Sequence, residues 1–140
     1  MGVMDDHFST SKLAHIFEND AARPNLLRRR ESTSLEFKEN FGLSPTNLED
    51  YGRTLARFSN RSGGYLVFGI KDRPHTMVGM TNPRFLDLDP NKLTQFLNNH
   101  FSPSILWDHT VHSIDDRRFG VIYAKEVNLK SVVCLKNRIA

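Results

Sequence analysis

The spacing of apolar and polar positions changes period several times along the chain, and each change predicts an element. Over residues 8–19, Phe8, Leu13, Ile16 and Phe17 fit one side of a short amphipathic helix, with Ser9 or Ser11 available as its cap. Leu35 and Phe37 then alternate with Glu36 and Lys38, which predicts a strand over 34–39 with one polar face. Ser44-Pro45 is a helix start, a capping hydroxyl followed by a residue suited to the first turn. Leu48, Tyr51, Leu55 and Phe58 form one stripe of the helix that follows, and Gly63-Gly64 ends it. Tyr65 to Ile70 is a continuous apolar run, which predicts a central strand buried on both faces. Asp72-Arg73-Pro74-His75 is turn chemistry, and Thr76 to Met80 can pair back.

Asp89 and Pro90 open a second long helix with a stripe of Leu93, Phe96, Leu97 and Phe101, and Pro103 ends it. Strands are predicted at 105–114 and 117–127, joined at Asp115-Asp116, and Val132 to Leu135 begins another. The order is helix, strand, helix, two strands, helix, three strands. It predicts an α+β fold, two-layer, with two or three helices packed on a mixed or antiparallel sheet. Residues 1–30 are expected to form a helical extension and basic linker, and 31–140 the main domain. The chain stops at Ile139-Ala140 straight after an apolar run, so the expectation is the N-terminal part of a longer protein.

Composition narrows the function classes without choosing one. A chain of 140 residues with 39% hydrophobic and 25% charged residues suits one soluble globular domain. Nineteen Lys and Arg against 16 Asp and Glu give a formal charge of +3, which permits nucleic acid as a partner without demanding it. The single Cys134 excludes an internal disulfide and a cysteine-built zinc site. The sequence has no signal-peptide apolar core at its N-terminus and no apolar run long enough to span a bilayer, so a cytoplasmic, membrane-free protein is expected.

The cations have two readings each. Arg28, Arg29 and Arg30 form either a solvated basic linker or a contact to phosphates. Arg53, Arg57 and Arg61 recur every four residues opposite the apolar stripe, as an ordinary solvated face or a phosphate-binding one. No phosphate-loop motif occurs, and Gly63-Gly64 follows a helix where a phosphate cradle would precede one, so ATP is not expected in this segment. His109 and His112, three apart on a strand, should face opposite ways, and Trp107 reads as core more readily than as a base-stacking platform.

Glu31, Glu36 and Asp72 remain. Carboxylates beside cations are the raw material of a Mg²⁺ or Mn²⁺ site acting on phosphodiesters, and equally of an ordinary charged surface. On an unbroken strand Glu31 and Glu36 would point to opposite faces, so they converge only if the backbone bends between them.

The run Glu31-x-x-x-Leu35-Glu36-Phe37-Lys38, the helical Leu55-Ala56-Arg57-Phe58-Ser59-Asn60, and Gly63-Gly64-Tyr65-Leu66-Val67-Phe68-Gly69-Ile70-Lys71-Asp72 together resemble the Schlafen/Alba-like DNA-binding domain family. Val78-Gly79 and Phe101-Ser102-Pro103 fit as well, and the resemblance covers about 31–136. It implies a nucleic-acid-binding module of a transcriptional regulator, contacting DNA or RNA phosphates through Lys38, Arg53, Arg57, Arg61, Lys71 and Arg28–Arg30. It also implies an alternative: a metal-dependent endoribonuclease in which Glu31, Glu36 and Asp72 hold Mg²⁺ or Mn²⁺ and Lys38 steadies the phosphate. With one lobe only, an RNA-gripping cleft would need a homodimer. A third class is a dimerisation or sensory platform for downstream domains.

Overall fold

The computed structural model describes residues 3–127 and 131–135; the chain end at Ile139-Ala140 lies outside the described residues. A 3-10 turn, Val3–Phe8, leads into α1 (Thr10–Ile16), capped by Ser9, whose hydroxyl accepts from the Lys12 N–H. Then come β1 (Leu35–Lys38), α2 (Pro45–Ser59), β2 (Gly64–Phe68), β3 (Ile70–Lys71) and β4 (Thr76–Met77). The remainder is α3 (Pro90–His100), β5 (Phe101–Ser102), β6 (Trp107–Ile114), β7 (Arg117–Ala124) and β8 (Val133–Cys134).

The main sheet has the order β1-β2-β7-β6 and is mixed: β1 runs parallel to β2, and the other pairs are antiparallel. Period-two alternation sends its side chains to two cores. Leu66, Phe68 and Ile122 pack against Tyr51, Leu55 and Phe58 of α2 and Leu93 and Leu97 of α3. Leu35, Phe37, Val67, Phe119 and Val121 pack on the other face with Ile16, Phe17 and Leu27. The N-terminal segment therefore supplies core: Leu27 donates its N–H to the His75 carbonyl, and Met77 donates to that of Asn25. His109 meets Phe85 on one side of β6 and His112 meets Phe17 on the other, as the alternation requires.

Both long helices start where their caps stand. The Ser44 hydroxyl accepts from the Asn47 N–H and the Asp89 carboxylate from the Asn91 N–H, each followed by proline. Gly52 lets α2 approach the end of α3, since a Cβ there would lie 2.4 Å from the Phe101 ring.

The apolar run Tyr65–Ile70 is not one strand. Gly69 turns out of the sheet at a φ of +110°, and Ile70-Lys71 pairs instead with Thr76-Met77 as a separate hairpin. β8 likewise leaves the main sheet and pairs with β5. Asn60, just past α2, fixes that region by giving one amide hydrogen to the Val132 carbonyl and accepting from the Val132 N–H.

Candidate nucleic-acid interface

Leu35 and Phe37 enter the second core, so Glu36 and Lys38 necessarily point to the α2 side of β1. There the Glu36 carboxylate accepts from Arg57 Nη2 at 2.9 Å and from the Thr54 hydroxyl at 3.2 Å. Lys38 Nζ lies 3.4 Å from the same carboxylate and 2.9 Å from Asp50. Burial by itself would lower the Lys38 pKa, but the Asp50 and Glu36 carboxylates outweigh it and hold the ammonium above its ordinary value. The polar face of β1 is thus a network under a helix, not a face open to water.

The α2 arginines are exposed, as their spacing predicts, yet two of the three are already matched. Arg53 pairs with Glu49 one turn earlier at 2.9 Å, and Arg57 with Glu36. Arg61 is exposed and has no carboxylate partner among the described residues, and the same holds for Lys71 at the end of β3.

Glu31 and Asp72 sit elsewhere. The backbone does bend after Glu31, but the bend aims that carboxylate at the open side of β1, where it accepts from the Phe37 N–H at 3.1 Å. Asp72 is exposed and pairs within its own turn, with His75 at 3.2 Å and Arg73 at 3.7 Å. Glu31 and Asp72 line one groove, and Glu36 stands on the α2 side of the strand. Among the described residues no three His, Cys, Asp or Glu side chains are grouped to hold a metal. With Glu31 bound to a backbone N–H and Glu36 to three donors, this donor set does not fit the three-carboxylate Mg²⁺ or Mn²⁺ site implied by the resemblance.

The Arg28–Arg30 run is where positive charge gathers. Arg28 and Arg29 share the single carboxylate of Glu18, at 2.9 and 3.1 Å. Arg29 also donates to the His15 carbonyl at 3.2 Å, which anchors the run to α1. Arg30 is exposed and has no carboxylate partner among the described residues. The run is a ridge between two grooves of about 510 Å³ each. One leads past Glu31 toward Asp72 and His75; the other is lined by His15, Ser32, Ser34, Leu35 and Tyr65 and, among the described residues, by no acid.

A family model described as Schlafen, AlbA_2 matches residues 31–139. The chain belongs to this family. An uncharacterized ATP-binding protein from Ureaplasma parvum serovar 3 is 40% identical over 124 residues, covering 79% of this chain. The chain spans about a third of that relative, 34% of its length. Among solved structures, the DIP2311 protein from Corynebacterium diphtheriae superposes with a TM-score of 0.61 at 18% identity, over 90% of this chain and 23% of that one. The N-terminal domain of a RecG-related protein from Nitrosomonas europaea aligns with a TM-score of 0.48 at 20% identity, over 76% and 72% of the two chains.

The α+β fold of this Schlafen/AlbA_2 domain is thus shared with DIP2311 at low identity, as the sequence pattern implied. Lys12 and His15 escaped the sequence reading. They stand one turn apart on α1, and only the docking of α1 beside Arg28–Arg30 brings His15 to the basic groove and Lys12 to the hollow next to it.

Proposed function

We infer that this Schlafen/AlbA_2 domain binds nucleic acid, DNA or RNA, through its phosphates, as the binding module of a larger regulator. The observation that carries the reading is the Arg28–Arg30 ridge. Arg28 and Arg29 share one carboxylate, Glu18, and Arg30 has none among the described residues, beside a groove that no acid lines among those residues. Guanidinium groups suit phosphate geometry, and each neutralised phosphate releases counterions. Lys71 and Arg61 add charge that no carboxylate matches among the described residues, whereas Lys38, Arg53 and Arg57 are held by Asp50, Glu49 and Glu36 and serve the fold first.

The test is a binding titration with labelled DNA and RNA across about 50–200 mM salt. Affinity should fall steeply, and Arg30→Ala should reduce the log–log slope by about 1 while affinity drops evenly across sequences. Arg30 is the informative position because its removal strands no carboxylate among the described residues. Affinity that ignores salt, or a slope untouched by Arg30→Ala, sinks the reading.

A further inference from the structure

The arginine ridge divides two grooves of opposite chemistry. On one side Asp20, Glu31 and Asp72 join the three arginines in lining the groove. On the other side, among the described residues, the lining holds no carboxylate, and His15, Ser32 and Ser34 stand beside the same arginines. His15 and Tyr65 also line a neighbouring hollow with Lys12, so the acid-free groove continues along α1, away from the ridge. A polyanion lying along α1 is drawn up to Arg28–Arg30 and meets three carboxylates if it continues across them.

The ridge end of the acid-free groove is dense in donors. Glu18 matches one of the three guanidinium charges, so two are left without a carboxylate among the described residues. Arg29 Nη2 lies 2.8 Å from His15 Nδ1; a guanidinium only donates, so Nδ1 accepts and the imidazole carries its proton on Nε2. Ser32 Oγ accepts from the Ser34 N–H at 3.2 Å and lies 3.5 Å from Ser34 Oγ. At most one hydroxyl hydrogen is used between the two serines, and the other is left to be given outward. An internal phosphodiester carries one charge and two free oxygens, whereas a phosphate monoester carries about −1.5 to −2 at neutral pH and three acceptor oxygens. Two unmatched charges with serine and histidine donors beside them fit the monoester. At about 510 Å³, with Leu35 and Tyr65 as an apolar wall, the groove has room for a nucleotide behind that phosphate.

We propose that this groove binds the end of a nucleic-acid strand, with the terminal phosphate monoester on Arg28–Arg30, Ser32 and His15 and the strand leaving along α1 past Lys12. The proposal rests on the nucleic-acid reading above and adds the substrate class. The acids beyond the ridge favour an end over a passage, because a backbone that ran on would carry its next phosphates past Asp20, Glu31 and Asp72. On the other side Lys12 pairs with Asp6 at 3.5 Å, yet its side chain is 49% exposed and within reach of the departing strand.

The test compares oligonucleotides of one sequence, about 12 nucleotides long and labelled internally, made as DNA and as RNA. They end in a 5′-phosphate, a 3′-phosphate, the methyl ester of either, or hydroxyls at both ends. At least one monoester end should bind about tenfold tighter than the hydroxyl-ended strand, and its methyl ester, which keeps one charge, should lose most of that advantage. Ser32→Ala and His15→Ala, both at exposed positions, should each cut the advantage about threefold and leave the hydroxyl-ended strand unchanged. Equal affinity for monoester and methyl-ester ends, or an advantage that both variants leave intact, overturns the proposal and leaves the phosphate reading standing. Binding of none of the strands overturns the phosphate reading, and this proposal with it.

Discussion

The Glu31 carboxylate accepts a hydrogen bond from the Phe37 N–H at 3.1 Å, so a residue lying before β1 closes the open side of that strand. Among the described residues β1 is an edge strand, paired with β2 alone, and its outward N–H groups need partners or water. Glu31→Ala should therefore destabilise the fold by about 1 kcal/mol in denaturant titration, and Glu31→Gln, which keeps an acceptor, by less. Equal losses for the two variants would show that the bond contributes nothing.

Glu36 is the acceptor that Arg57, Thr54 and Lys38 share, and its side chain is only 21% exposed. Glu36→Ala strands a buried hydroxyl and leaves Arg57 without its carboxylate, so a loss of about 1–2 kcal/mol is expected. Lys38 retains Asp50 at 2.9 Å, so Lys38→Met should cost less on its own. A double-mutant cycle on Glu36 and Lys38 should give a non-zero coupling; simple additivity would separate the two side chains energetically.

Legibility from sequence followed how local each determinant is. The start of α2 was readable because Ser44, Pro45 and the stripe Tyr51, Leu55 and Phe58 all lie within the element they specify. The break at Gly69 was not, because an apolar run reads alike whether it stays in one sheet or turns out of it, and only the packing of Phe119 against that glycine decides. Alternation in β1 assigned Glu36 and Lys38 to a polar face, but which layer covers that face is a tertiary fact. The same limit hid the basic groove: Arg28–Arg30 was visible as a run, whereas its joining to His15 depends on where α1 docks.

That docking carries a pH dependence. His112 stacks on Phe17, ring centres 4.7 Å apart, and burial lowers its pKa below the ordinary histidine value. A base whose folded pKa is depressed stays neutral in the fold while the unfolded chain takes up a proton. Stability from this group is therefore complete above about pH 6.5 and declines as pH falls through that value. Thermal unfolding from neutral to mildly acidic pH should show Tm falling, and His112→Gln should flatten that part of the curve. A variant curve parallel to the parent's would remove His112 as the cause.

At the alkaline end Tyr65 makes the opposite case. Its hydroxyl donates to the His7 carbonyl at 2.7 Å, and burial, then Tyr123 and Asp6, push its pKa up to about 12. An acid whose folded pKa is raised stays protonated in the fold after the unfolded chain has begun to ionise near pH 10. The unfolded state then binds fewer protons, so stability is intact below about pH 10 and is lost between that value and the folded pKa. Tyr65→Phe cannot ionise and should lose this part of the alkaline decline, at the cost of a lower plateau because the bond to His7 is gone. Hydrogen exchange in residues 3–8 should quicken in the same variant, since that carbonyl is one of the ties holding the N-terminal turn to the sheet. Unchanged exchange there would mean that the His7–Tyr123 stack and the Asp108 contact hold the turn without Tyr65.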